Sequence, residues 1–165
     1  MDAKALLIGQ LPPPYHGASY LNKVAFLEIA NYYTCNQLIL NTSDGVDKIG
    51  KFGISKVLYT IKNFMLLFKY LMFKRPQIVY FTANITGVAF FRDFFISLIL
   101  KMFNIKVVYH LHGLGIKEGA KSFFKLLFLK VMFRNSKVLC VSRTVSLSEF
   151  KELNIKNLDV SYVNN

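Results

Sequence analysis

The sequence predicts a doubly wound α/β domain, in which a mainly parallel β-sheet carries helices on both faces. Short apolar runs alternate about six times with longer helical segments, at a spacing that fits successive βαβ units. The runs are apolar at consecutive positions rather than at every second one. Strands that are apolar on both sides need helices on both sides of the sheet, as in parallel α/β proteins.

Six short segments are predicted as strands, because they are rich in apolar, β-branched and aromatic residues and are bounded by turn-forming residues. They are Ala5–Ile8, Gln37–Leu40, Ile78–Phe81, Val107–Tyr109, Val138–Val141 and Val160–Val163. The intervening helices are predicted at Ala18–Tyr33, Ile54–Phe73, Val88–Phe103, Ser122–Arg134 and Thr144–Leu153. The stretch Asn41–Gly53, rich in Asn, Ser, Asp and Gly, is predicted as a loop.

The composition fits one domain with a sizeable core, since 53% of the 165 residues are hydrophobic. The formal net charge of +12 favours an anionic partner: a phosphorylated ligand, nucleic acid or an acidic membrane surface. Alternatively, the lysines only solvate an unusually apolar domain. Nucleic acid is not expected as a partner, because the chain lacks helix-turn-helix, zinc-finger and RNP patterns.

The cysteines and the apolar segments bear on the compartment. Cys35 and Cys140 lie far apart in apolar runs and form no C-x-x-C pair, so buried reduced thiols and a cytoplasmic location are expected. The N-terminus carries no signal-peptide pattern. The best candidate for a membrane span, Val57–Phe73, is interrupted by Lys62 and Lys69, so no spanning helix is expected.

The loop after the first strand reads Pro12-Pro13-Pro14-Tyr15-His16-Gly17. Gly17 permits close backbone approach at the start of a helix, where N–H groups favour an anion. The loop has neither the three glycines of a dinucleotide fingerprint nor the Gly-Lys-Ser/Thr of a Walker loop. A proline-rich turn with a glycine near the helix start explains the same residues without a function.

Polar residues also follow the other predicted strands, at the edge where ligands of such sheets bind. His110 and His112 stand two residues apart, so they point to the same side of an extended chain, and Gly113 follows them. Asn84 and Ser142 could contact a hydroxylated ligand, although a turn and a helix cap are alternatives for them.

Zinc is a minor hypothesis for the three histidines, His16, His110 and His112. Three histidines with an open fourth position would match a catalytic zinc site, and the H-x-H spacing is compatible with it. No carboxylate stands close in sequence to support such ligands, the nearest being Glu118.

Four segments together resemble family-4-like glycosyltransferases of the GT-B fold, and the resemblance spans nearly the whole chain. In the expected order they are Pro12–Ser19 followed by Asn22, then Val107–Gly113, Val138–Ser142 and Val160–Asn164. Each segment is a weak signal alone. Their order and spacing make the combination specific.

The resemblance implies the N-terminal, Rossmann-like half of a glycosyltransferase, which generally holds the acceptor. It implies retaining transfer from a nucleotide-diphosphate sugar to a glycan or lipid-linked acceptor, without a metal ion or another cofactor, as in polysaccharide biosynthesis. By position, Gly17 matches the loop that approaches the diphosphate of the donor, and His112 matches the histidine that contacts the transferred sugar. His16, His110, Gly113, Asn84 and Ser142 are the further residues predicted to bind substrate.

The chain departs from the family pattern in two respects. His16 stands where the family loop often carries a glycine, and the half that binds the nucleotide sugar is absent. The isolated chain is therefore expected to transfer little or no sugar, as a truncated product or as one subunit of a split enzyme. The alternative is a non-catalytic module that binds a membrane or the partner chain carrying the second half.

The predicted helices at Ile54–Phe73, Phe90–Phe103 and Phe123–Phe133 are apolar nearly all round, with scattered Lys and Arg. Packing on a sheet explains much of this apolar surface. The surplus, together with the positive charge, predicts docking on an anionic membrane, at the inner face of the cell membrane.

Overall fold

Six strands and four fully described helices are present in the computed structural model, which describes residues 4–41, 54–113, 115–116, 122–141, 150, 153–155 and 157–163. The strands are β1 (Lys4–Gly9), β2 (Thr34–Ile39), β3 (Ile78–Thr82), β4 (Lys106–Leu111), β5 (Lys137–Cys140) and β6 (Asp159–Tyr162). The helices are α1 (Gly17–Ala30), α2 (Ile54–Lys74), α3 (Gly87–Met102) and α4 (Phe123–Phe133).

The strands form one all-parallel sheet in the order β2-β1-β3-β4-β5-β6, which confirms the predicted fold class. The chain runs from β1 outward to β2, then crosses back over β1 to β3 and continues in one direction to β6. The connections therefore leave β1 on both sides. This creates a topological switch point between β1 and β3, where ligands of doubly wound sheets bind beyond the carboxyl ends of the strands.

The helices cover the two faces of the sheet unequally. On one face, Phe26 of α1 packs edge-on against Tyr80 of β3, with ring centroids 6.0 Å apart, and the two form a small core cluster with Leu7. The opposite face carries the larger core, to which α2, α3 and α4 contribute side chains such as Leu71 and Met132. In right-handed crossovers, the direction in which the chain moves along the sheet decides which face the connecting helix covers. The connection from β1 to β2 runs in the opposite direction to the later ones, so α1 covers the face opposite to that of α2, α3 and α4.

β2 and β4 extend furthest beyond their predicted bounds. β2 begins at Thr34 rather than Gln37, because as an edge strand it tolerates exposed polar residues that interrupt the apolar run. β4 continues past Tyr109 and includes His110. The predicted loop beyond Asn41 and most of the predicted helix Thr144–Leu153 lie outside the described residues.

Both cysteines are reduced thiols, as predicted, but only Cys140 is buried, while Cys35 on the edge strand is half-buried. Burial raises the pKa of the Cys35 thiol, which favours the protonated form. In the part of the chain that is described, no helix has both the length and the apolar character needed to cross a membrane.

Candidate functional site

A polar cleft opens at the carboxyl ends of β1, β3 and β4, beside the first turns of α1. It is lined by Gln10, Ala18, Asn22, Thr82, Ala83, Asn84, Ile85, Thr86, His112 and Gly113. This is the topological switch point of the sheet. The cleft volume of about 80 Å³ is smaller than a pocket for a whole small-molecule ligand.

His112 is anchored in this cleft by Asn22 of α1. The Nε2 atom of His112 lies 2.9 Å from Oδ1 of Asn22, and the Thr82 hydroxyl donates to the same oxygen at 2.9 Å. The Nδ2 atom of Asn22 donates to the backbone carbonyl of Gln10 at 2.9 Å. Side chains from α1, β3 and the segment after β4 are thus joined into one network.

The backbone of β1 passes directly beneath this network at Gly9. A Cβ atom added there would lie 2.9 Å from Oγ1 of Thr82, 3.2 Å from Nδ2 of Asn22 and 3.3 Å from Cζ of Phe26. Contacts this short force a neighbour to move. The small size of Gly9 therefore allows Asn22 and Thr82 to approach β1 and each other.

His110 lies beneath His112 on the same side of β4, as the two-residue spacing predicted. The two ring centroids are 4.1 Å apart, and Nδ1 of His110 is hydrogen-bonded to the Tyr80 hydroxyl. The His110 Nε2 atom is buried without a hydrogen-bond partner among the described residues. Burial raises the pKa of Tyr80, so its phenol stays protonated and can donate to His110.

Both histidines of this pair are uncharged at neutral pH. Burial, with a contribution from the charge of His112, lowers the pKa of His110 to about 4. Burial, together with repulsion from His16, also lowers the pKa of His112. A neutral imidazole has one nitrogen that donates and one that accepts, so each ring presents both functions.

His16 and Gly17 lie beside the cleft at the start of α1 and do not belong to its described lining. His16 is the N-cap residue: its Nδ1 accepts from the Ser19 amide at 3.3 Å, and its own amide donates to Oγ of Ser19 at 3.0 Å. Gly17 is exposed, and a Cβ atom there would meet nothing within 4 Å. Their predicted contacts with substrate remain predictions.

Asn84 lines the cleft, but its amide group is already held by a buried carboxylate. Its backbone N–H and its Nδ2 both donate to Oδ2 of Asp93, each at 2.8 Å, and Arg92 donates to Oδ1 at 2.7 Å. Gly113 lines the cleft with open space around it. Ser142 lies outside the described residues, and its predicted role is untested.

Several residues that build the site carried no functional prediction from the sequence. Asn22 was noted only as part of a resemblance, yet Ser19, Asn22 and Phe26 form the buried face of α1. Polar residues on the inward face of a helix are a readable signal, since buried polar groups need specific partners. Thr82 gave less indication, because it becomes important through its contact with Asn22, 60 residues away. Asp93 becomes important through its contacts with Asn84, nine residues earlier, which form only when the segment after β3 folds against α3.

A metal site is not formed by these residues. Within the described ranges, no three side chains of the types that bind metals come close enough together to hold an ion. His16, His110 and His112 are all described, so the geometry gives the zinc hypothesis no support.

The fold and the cleft define the class of this protein: a Rossmann-like, all-parallel α/β domain with a polar cleft at its topological switch point. Neither a protein-family model nor a curated protein matches the chain. Among solved structures, MurG of Acinetobacter baumannii is similar at 9% sequence identity and a TM-score of 0.34, over 99% of this chain and 68% of that one. A likeness of this degree says nothing about activity, and the chemistry of the cleft follows from its own residues.

Proposed function

We propose that this chain is the acceptor-side half of a retaining glycosyltransferase, which moves a sugar from a nucleotide-diphosphate sugar to a glycan or lipid-linked acceptor. The observation that carries the proposal is His112, fixed at the switch-point cleft with its Nδ1 buried and without a hydrogen-bond partner in the described structure. An unsatisfied buried polar atom costs about 1–3 kcal/mol. A ligand hydroxyl bound there would offset this cost.

The chemical character of the cleft favours a hydroxylated ligand. Its polar lining comes from uncharged groups, namely Gln10, Asn22, Thr82, Asn84, Thr86 and a neutral His112. Amides, hydroxyls and a neutral imidazole suit the hydroxyl groups of a sugar. The described lining contains no carboxylate, whereas glycoside hydrolysis typically needs two. Transfer is therefore favoured over hydrolysis.

The remaining roles follow from the family resemblance of the sequence. The backbone at Gly17 would approach the diphosphate of the donor, and the N-terminal end of α1 would offset charge on the leaving group. His112 would contact the transferred sugar. The half that binds the nucleotide would come from a second domain or a partner chain, and the 165-residue chain alone would transfer little or no sugar.

The test is a transfer assay on the complete gene product, including a second domain or adjacent partner chain, with labelled UDP-glucose, UDP-N-acetylglucosamine and GDP-mannose and extracted lipids as acceptors. We expect His112→Ala to lower kcat/KM by about 100-fold or more. Lys23→Ala, an exposed change on α1, is the control and should leave transfer unchanged. Transfer that survives His112→Ala, or no transfer from any donor, would refute the proposal.

We also propose that the domain docks on an anionic membrane through its helical layer, defined as the outward faces of α2, α3 and α4. Six of the nine exposed large apolar residues of α2 recur every three or four positions, on the side opposite its buried residues. They are Ile54, Leu58, Ile61, Met65, Phe68 and Met72. The neighbouring helices add Val88, Phe91, Phe95 and Met102 from α3, and Phe123, Phe124 and Leu127 from α4.

The charge of the helical layer distinguishes a membrane from a second copy of the chain. α2 contains four lysines and α4 contains two, and neither helix has an acidic residue. The acidic residue of α3 is Asp93, which is buried. Two such layers would repel each other, whereas anionic headgroups attract them and the lipid interface receives the apolar side chains.

Vesicle flotation tests the membrane proposal. At low salt we expect binding to vesicles rich in phosphatidylglycerol and little binding to phosphatidylcholine. The double variant Leu58→Gln, Met65→Gln should weaken binding at least about fivefold. The matched control Val24→Gln, Leu27→Gln alters exposed apolar residues of α1, on the other face of the sheet, and should bind normally. Equal losses in both variants, or no binding to either vesicle, would contradict the proposal.

A further inference from the structure

We infer that Asn22 is a positioning residue for His112: its side-chain carbonyl holds the neutral His112 ring with the proton on Nε2 and leaves Nδ1 as a bare acceptor. The value of this acceptor for sugar transfer rests on the proposed function. The tautomer itself does not, because it follows from the hydrogen-bond network alone.

The hydrogen-bond partners of the Asn22 side chain determine the orientation of its amide group. The two ends of an amide side chain are told apart by their partners. The Gln10 carbonyl can only accept, and it lies 2.9 Å from one end of the Asn22 side chain. That end must therefore be the NH₂ group, and the end that faces Thr82 and His112 must be the carbonyl oxygen.

The orientation of the Asn22 amide in turn determines which nitrogen of the His112 ring carries the proton. The Oδ1 atom of Asn22 can only accept, so the Nε2 atom of His112 that lies 2.9 Å away must carry a proton. A neutral imidazole has only one N–H, and the other nitrogen, Nδ1, is then an acceptor. This atom is buried and has no partner among the described residues.

Asn22 acts through His112 rather than on a ligand. Its oxygen already accepts from both Thr82 and His112, and Asn22 is 1% exposed. An amide oxygen has two lone pairs, so little capacity remains for a third donor. The ligand contact falls to Nδ1 of His112, which can accept a hydrogen bond from a hydroxyl.

The experiment is ¹⁵N NMR of the histidine side chains in the 165-residue chain, near neutral pH. The chain has three histidines, and His112→Ala assigns the relevant signals. We expect the proton of neutral His112 on Nε2. A proton on Nδ1 in the wild-type protein would overturn the inference without reference to any variant.

Two substitutions separate positioning from simple structural support. Asn22→Leu removes the acceptor, so we expect a mixture of His112 tautomers and, in the complete gene product, at least about a tenfold loss in kcat/KM. Thr82→Val removes the other donor to Asn22 but leaves the Asn22–His112 pair, and should keep the Nε2–H tautomer. A wild-type tautomer in folded Asn22→Leu would refute the inference.

The same measurements distinguish failure of the inference from failure of the proposed function. If the tautomer responds as expected but no donor supports transfer, Asn22 still positions His112 and only the enzymatic proposal fails. If transfer depends on His112 while Asn22→Leu leaves both the tautomer and kcat/KM unchanged, the transferase stands and the positioning role is wrong.

Discussion

Gly9 is the glycine whose small size the cleft requires, although the sequence directed attention to Gly17. Gly9→Ala would place a methyl group 2.9 Å from the Thr82 hydroxyl, so we expect a loss of about 1–3 kcal/mol in the free energy of unfolding. Gly17→Ala is the matched control, because its Cβ would meet no atom within 4 Å and alanine favours a helix.

Urea denaturation of both variants measures this difference directly. The midpoint of Gly9→Ala should fall, with an unchanged slope, while that of Gly17→Ala should stay the same or rise slightly. Equal midpoints for Gly9→Ala and the wild type would show that Asn22 and Thr82 move aside without cost, and that the network is looser than the distances indicate.

The sequence predicted which polar side chains lie near the strand ends, but not the residues to which they are hydrogen-bonded. His110 and His112 share a side of the chain because of the two-residue period of an extended strand, a local rule that the sequence displays. Tyr80, the partner of His110, is 30 residues away along the chain, and Asn22, the partner of His112, is 90 residues away. No local pattern encodes such a pairing, because the complete sheet order determines it.

At the scale of elements, Asn41 ties the proline-rich loop to the end of β2. Its Nδ2 donates to the carbonyls of Leu11 and Pro13, each at 2.6 Å, and its Oδ1 accepts from the Leu11 amide at 3.1 Å. The loop between β1 and α1 thus depends on a side chain from another element. The sequence placed Asn41 in a loop, which gave no sign of this role.

We therefore expect Asn41→Ala to loosen the proline-rich loop without unfolding the domain. The Leu11 amide would lose its acceptor, so its hydrogen exchange should become at least about tenfold faster, which corresponds to 1.4 kcal/mol or more. Amides in the central strand β3 should be unaffected. Asn31→Ala, at an exposed helix end, is the control, and equal acceleration at Leu11 in that variant would argue against a specific tether.

Element types were more predictable than element ends. Long apolar segments such as α2 and α3 were located to within a residue or two, because their apolar runs are long and are bounded by turn-forming residues. The edge strand β2 was shortened in the prediction, since one neighbour and open solvent remove the need for continuous apolar residues.

For the whole molecule, the alternation of elements predicted the parallel sheet and hence the edge at which polar residues gather. Right-handed crossovers place α2, α3 and α4 on one face and α1 on the other, and this asymmetry brings His112 and Asn22 together. The cleft is therefore a consequence of the strand order. The sequence predicted its position, while its hydrogen-bond network depends on the folded packing.

The pH dependence of global stability is also a property of the whole molecule, and His110 should contribute strongly to it. Burial, and secondarily the charge of His112, lowers its pKa from an ordinary 6.5 to about 4. Two titratable groups contact it in the described structure: Tyr80, which stays protonated, and His112. Between these two pH values the unfolded chain binds a proton that the folded chain does not.

Stability should therefore fall as the pH is lowered from about 6.5 to about 4, with no further loss from this group below that range. The full shift corresponds to at most about 3 kcal/mol, and the lowered pKa of His112 acts in the same direction. Urea midpoints measured near pH 7 and near pH 4.5 test this for the wild type and for His110→Gln, which cannot titrate. The variant should lose clearly less stability on acidification, and an equal loss in both proteins would assign the acid sensitivity to other groups.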